Sequence, residues 1–174
     1  MFFQYPLRFK LFFLLLFLLF FPQGLLTQSN QIIAIGQSPV SCYASSKGAS
    51  TYYIFSFSIS TAINSNAFLS IVFPVEFPSG LLASSSSAPE CGYMNPSYMA
   101  LNCTIQNGLN VMINMGTLQP GIYQMVIGQI LNPTFYESSS TFKVYTYQTQ
   151  GLIDSNENLG KMAFSNPPSK NSNF

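Results

Sequence analysis

The side chains able to carry reactive chemistry are few in this 174-residue chain. The candidates are three cysteines, Cys42, Cys91 and Cys103, and five carboxylates, Glu76, Glu90, Glu137, Asp154 and Glu157. Histidine is absent. That removes the commonest general base, the usual activator of a serine or cysteine nucleophile, and the commonest zinc ligand. A glycosidase would need two carboxyl groups roughly 5–10 Å apart across a groove. Glu76 and Glu137 are the pair to weigh for that role, and nothing in their spacing favours it. Asp154, Asn156 and Asn158 imitate the start of a calcium loop. Its sixth position is Leu159 where the loop needs Gly, and its twelfth is Ser165 where it needs a bidentate Glu. Gly-rich phosphate loops and a G-x-S-x-G elbow are missing. The sequence therefore predicts no enzyme, no catalytic residues, no metal site and no cofactor.

What the cysteines do depends on the compartment, and the N-terminus addresses that. Arg8 and Lys10 precede Leu11–Phe21, an unbroken run of Leu and Phe that Pro22 and Gly24 interrupt. A positive flank, a short apolar stretch and a polar exit are the parts of a secretory signal. A spanning helix needs about 20 apolar residues, roughly twice this run. Residues 1–28 are read as a helical signal peptide, cleaved between Gly24 and Ser29, with an uncleaved signal anchor as the alternative. Location is then secreted or cell-surface, and a membrane is met only through an uncleaved leader. In that oxidising route one disulfide is expected. Cys91 and Cys103 enclose eleven residues, a small loop, and are the favoured pair. Cys42 is left unpaired, and a Cys42–Cys103 bridge is the competing arrangement. Asn102-Cys103-Thr104 is an N-glycosylation sequon, with Asn102 as the acceptor.

These groups must be held by an element framework, and the composition indicates its kind. Hydrophobic residues are 48% and aromatics 16%, enough for a core, while charged residues are only 6%. Ordinary soluble domains carry about 25% charge. Without its leader the chain has four lysines against five carboxylates, so it offers no basic face for nucleic acid.

After residue 30 the pattern is strand and turn. Thr51–Ser60 is the clearest strand: Tyr53, Phe55, Phe57 and Ile59 alternate with Ile54, Ser56, Ser58 and Ser60. That period of two puts an aromatic row inward. Further strands are predicted at Pro39–Ala44, Phe68–Phe73, Met99–Ile105, Val111–Met115, Ile122–Ile130 and Phe142–Tyr147. Ser84–Ser87 reads as a loop, Asn107-Gly108 and Pro120-Gly121 as turns, and Asn132-Pro133 as a break. About seven strands with frequent turns predict an all-β, Ig-like Greek-key β-sandwich over residues 29–150. Residues 151–174 read as a linker and disordered tail.

The order of motifs resembles a known kind of module. It runs from Tyr52-Tyr53-Ile54-Phe55-Ser56-Phe57 through Leu69-Ser70-Ile71-Val72-Phe73-Pro74 to Gly121-Ile122-Tyr123. Ile127-Gly128-Gln129-Ile130-Leu131-Asn132-Pro133, Phe142-Lys143-Val144-Tyr145-Thr146-Tyr147 and Leu152-Ile153-Asp154 complete it. Residues 38–155 are similar to the Ig-like β-sandwich modules repeated in tandem in large secreted and membrane-anchored ciliate surface proteins. The resemblance implies that Ile153-Asp154 is an exit toward a next module, and it supplies no active-site residues. It also leaves open a truncated copy of a longer repeat protein.

The expected function is a non-catalytic, structural or adhesive surface module. Its expected partners are surface or matrix proteins, or further modules of the same kind. A secreted carbohydrate-binding module is the alternative, and it predicts an exposed aromatic platform on one sheet. Tyr145 and Tyr147, outward on the last strand, are the proposed contact face.

Overall fold

The computed structural model describes residues 30–82, 88–149 and 151–167. The predicted signal helix, the Ser84–Ser87 loop and the final residues of the predicted tail lie outside them. The described residues form strands and no helix. The strands are β1 (Asn30–Gln31), β2 (Ile33–Ala34), β3 (Val40–Cys42), β4 (Ser50–Ile59), β5 (Ile63–Val72) and β6 (Glu90–Met94). They continue with β7 (Tyr98–Leu101), β8 (Cys103–Gln106), β9 (Asn110–Leu118), β10 (Gly121–Leu131), β11 (Phe142–Gln148) and β12 (Gly151–Gly160). Sheet I runs β1-β12-β11-β5-β9-β8, and sheet II runs β2-β4-β10-β6-β7, with β3 also pairing β4. The pairings are antiparallel except β1 with β12.

The core lies between the sheets, filled by the period-two rows read from the sequence. Tyr53, Phe55, Phe57 and Ile59 of β4 are buried, as are Ala67, Leu69 and Ile71 of β5 and Phe142 and Val144 of β11. Phe73 meets the rings of Tyr53, Phe55, Phe77 and Phe142 at centroid distances of 5.1–5.7 Å and angles of 77–81°. Edge-to-face contacts of this kind set positive ring edges against negative faces. Asn132 anchors a polar knot inside the core. The Tyr53 hydroxyl donates to Asn132 Oδ1 at 2.5 Å, and Asn132 Nδ2 donates to the carbonyls of Ala44 and Ser46. With every polar atom engaged this way, a buried amide costs little. The sequence read Asn132 only as a strand breaker.

Three expectations change. About seven strands were expected, and the described residues form twelve. The single strand predicted over Met99–Ile105 is two strands, β7 in sheet II and β8 in sheet I, and the chain changes sheets at Asn102. Alternation continues across that step, so pattern alone does not reveal it. The third change is the largest. Residues 151–160, predicted as linker, form β12, which pairs with β11 on one side and β1 on the other.

Asp154, read through the family resemblance as an exit, sits buried within β12. Leu159 and Phe164 also enter the core, and Phe164 packs on Phe77 at 5.8 Å. The Asp-Ser-Asn-Glu-Asn run has low intrinsic strand propensity, but its backbone pairing on two sides overrides that preference.

Candidate functional site

The Cys91–Cys103 disulfide forms, linking β6 of sheet II to β8 of sheet I. Cys42 is the free cysteine of the described residues, half-buried, with its thiol donating to the Ala44 carbonyl. Burial raises its pKa, partly offset by a backbone hydrogen bond at Ala44, which favours the thiol over the reactive thiolate. Asn102 is exposed at the crossover between sheets, and Thr104 beside it is exposed too. The backbone carbonyl of Asn102 accepts from the Asn114 N–H.

The carboxylates are dispersed. Glu76 accepts from the backbone N–H and hydroxyl of Ser140, and Glu157 pairs with Lys143. Asp154 Oδ1 accepts from Thr61 at 2.9 Å, while its buried Oδ2 has no partner among the described residues. Burial raises the Asp154 pKa, against the lowering effect of the threonine hydrogen bonds. Asn156, the second residue of the calcium-like run, spends its amide on the Ile32 carbonyl at 2.8 Å. Among the described residues no three His, Cys, Asp or Glu side chains gather as a metal cage.

Tyr145 and Tyr147 do point outward from β11, alternating with buried Val144 and Thr146, and their rings lie 6.2 Å apart. Both are half-covered. The Tyr145 hydroxyl donates to Glu157 at 3.0 Å. Burial and that acceptor push its pKa up to about 12. Glu157 is in turn held below the ordinary carboxylate range by the hydrogen bond from Lys143. This face is satisfied from within.

The outer face of sheet II is built differently. Tyr52 of β4, Val126 of β10, Glu90 and Met94 of β6 and Tyr98 of β7 share it, with Tyr43 standing beside β3. Tyr43 is 76% exposed, Tyr98 48% and Met94 42%. Together they line a shallow hollow of about 450 Å³. Two glycines shape it. A Cβ on Gly128 would overlap the Tyr52 ring, and one on Gly92 would overlap the Tyr98 ring, so each ring lies across a neighbouring strand where only glycine leaves room.

Hydrogen bonds fix the rest of this face. The Tyr52 hydroxyl donates to Glu90 Oε2 at 2.5 Å, Gln129 Nε2 donates to Glu90 Oε1 at 3.2 Å, and the Tyr98 hydroxyl donates to the Cys91 carbonyl. The bond to Glu90 raises the Tyr52 pKa, and burial with the nearby Glu90 charge raises that of Tyr98. Gln129 reaches Glu90 from a residue at φ 64°, where the register of β10 on β4 shifts between Ile127 and Ile130. Tyr43 stands edge-on to Tyr52 at 84°. Tyr52 and Tyr98 lie over glycine floors, and Tyr43 forms a wall.

The sequence singles out Tyr145 and Tyr147 as the contact face and does not separate Tyr43, Tyr52 and Tyr98 from the other tyrosines. The available signal was Gly92 and Gly128 within strand-like runs, each one strand away from a tyrosine.

No protein-family model matches the chain, and no curated protein matches it. Among solved structures the chain is similar to the crystal structure of BslA, a bacterial hydrophobin, at 9% identity and a TM-score of 0.43, over 80% of this chain and 100% of that one.

Proposed function

We propose that the chain is a non-catalytic module of the cell exterior, secreted or surface-held, with a structural or adhesive role exerted through the outer face of sheet II. The observation that carries this reading is the set of exposed Tyr43, Tyr98 and Met94 around a hydrogen-bonded Glu90. Large aromatic side chains with polar tips are the residues that protein contact surfaces concentrate.

The Ig-like Greek-key assignment is part of the proposal. It is supported by β4 pairing with β10 in one sheet, and by β5 with β11 and β11 with β12 in the other. The motif order shared with tandem surface modules points the same way. An exterior location is supported by the disulfide and by the leader-like residues 1–28. A glycan on exposed Asn102 belongs to the same reading.

The test is expression of the full chain in a eukaryotic secretory host, with mass spectrometry of the product and adhesion of the product to cell surfaces. The expected product is in the medium, starts between Gly24 and Ser29, and adheres less as Tyr43→Ser/Tyr98→Ser. Retention in the cytosol, or equal adhesion of both forms, would end the proposal.

A second reading, a carbohydrate-binding module, is favoured by the specific arrangement of Tyr52 and Tyr98 over glycines.

A further inference from the structure

We infer that the outer face of sheet II binds a neutral glycan of equatorially linked hexopyranoses, with Tyr52 and Tyr98 as stacking platforms and Glu90 as the orienting acceptor. The inference rests on the reading of that face as a contact surface, and it names the ligand class.

A pyranose ring with equatorial substituents has two broad faces made of axial C–H bonds and a rim of hydroxyls. Those C–H groups carry small positive charge and pack on the negative face of an aromatic ring. The protein therefore needs aromatic rings lying along its surface rather than projecting from it. Gly128 and Gly92 provide that, since any side chain there would lift the Tyr52 and Tyr98 rings off the sheet.

Spacing and polarity fit the same ligand. In the pairing of β10 with β6, Val126 faces Gly92, so the two glycines are one strand and two residues apart. Strand spacing and rise put the two ring seats about 8 Å apart, a span for a short oligosaccharide rather than a single sugar. Glu90 stands opposite Gly128 and two residues from Gly92, beside the Tyr52 seat, positioned by Tyr52 and Gln129. An ionised carboxylate keeps acceptor sites beyond those two bonds, which suits sugar hydroxyl donors.

Charge settles the choice among ligands of similar shape. The residues lining the hollow include a carboxylate and no lysine or arginine. An anionic partner such as nucleic acid or a sulfated glycan would meet repulsion there and gain no ion pair. The 450 Å³ hollow also lies within the roughly 300–1,000 Å³ that small-ligand sites occupy. Tyr43, at 84° to Tyr52, limits the ligand on one side.

The experiment titrates the full chain, produced through a secretory host, with cellohexaose and with chitohexaose. Maltohexaose, which is axially linked, and heparin serve as contrasting probes. Calorimetry gives affinity, and NMR shift mapping on the unmodified protein locates the contact. At least one equatorially linked hexaose should bind and move the resonances of Tyr52, Gly92, Tyr98 and Gly128, while maltohexaose and heparin bind more weakly. Tyr52→Ala and Tyr98→Ala should each weaken binding about tenfold. Tyr98→Phe, which keeps the ring, and Leu152→Ser, on sheet I, should leave it within about twofold of the original.

Failure of both equatorially linked hexaoses to shift those resonances overturns the inference, whether or not the alanine variants fold. So does binding that survives loss of either ring, or tighter binding of heparin. Adhesion to enzymatically deglycosylated cells separates the two levels. If the hexaoses fail and the protein still adheres through Tyr43 and Tyr98, the contact-surface reading stands and the glycan does not; if adhesion fails as well, both fall.

Discussion

Each sheet of this sandwich presents tyrosines and a glutamate to solvent, and the two sets are built to opposite ends. On sheet I, Glu157 is taken up by Lys143 at 2.9 Å and by the Tyr145 hydroxyl, and the tyrosine rings are half-covered. On sheet II, Glu90 is held by a phenol and an amide, and Tyr43 and Tyr98 stay open to solvent. A carboxylate neutralised by an ammonium has little left to offer a ligand. One held, among the described residues, by neutral donors keeps spare acceptor sites. The same residue types therefore make a closed surface in one place and a receptive one in the other. Partners, rather than residue type, decide which is which.

The sharpest way to break this contrast is to loosen the floor of sheet II. Cys91 lies next to Gly92 in β6, and its bond to Cys103 anchors that strand to sheet I. Removing it as Cys91→Ser/Cys103→Ser should cost about 3 kcal/mol, because a loop of this length loses a large closure entropy when cross-linked. Chemical denaturation would measure that, and the loss should be accompanied by increased exposure of Tyr52 and Tyr98.

A smaller effect is expected beneath sheet I. Burial raises the folded-state pKa of Asp154, so the folded protein holds its proton over a pH interval in which the unfolded chain releases it. Stability should then fall as pH rises from the ordinary carboxylate range, near 4, through the raised value. Asp154→Asn should flatten that slope in melting curves taken across pH. A slope unchanged by the substitution would mean that Asp154 does not titrate abnormally.

Glu157, on the same strand, is shifted the other way by Lys143 and Tyr145. Its contribution is present above the ordinary carboxylate value and is lost as pH falls through the depressed one. Ultraviolet titration of the phenols should show Tyr145 ionising at about 12, and moving part of the way back in Glu157→Gln, where burial still holds it up. Glu90→Gln should lower Tyr52 in the same way, since its shift comes first from that hydrogen bond. The smallest effect belongs to Lys143→Ala, which removes a solvent-exposed ion pair and should leave the melting temperature within experimental scatter.

Much of the framework was legible because one physical rule governs it. Tyr53, Phe55, Phe57 and Ile59 alternate with small polar or apolar residues, and that order has meaning in a two-layer sheet and no meaning in a helix. The bridge was legible too, from spacing and the expectation of an oxidising route.

What stayed hidden depends on neighbours distant in sequence. β12 carries Asp154, Asn156 and Glu157, which are strand-averse alone, and it forms because β1 and β11 flank it. The tyrosine face requires knowing that β10 lies beside β4 and β7 beside β6, since Gly128 matters only under Tyr52 and Gly92 only under Tyr98. A glycine in a strand reads locally as a weakness. Its worth as a seat for a ring from the next strand appears only when the sheet is assembled.

The placement of β12 also decides how the domain tolerates trimming. A version ended at residue 150 would strip β11 of its outer partner and leave a row of unsatisfied amides beside the Phe142 and Val144 side chains. Open edges of that kind recruit strands from other molecules. Such a version would be expected to aggregate rather than stay monomeric, whereas one carried through Phe164 keeps the edge covered and the last core ring in place.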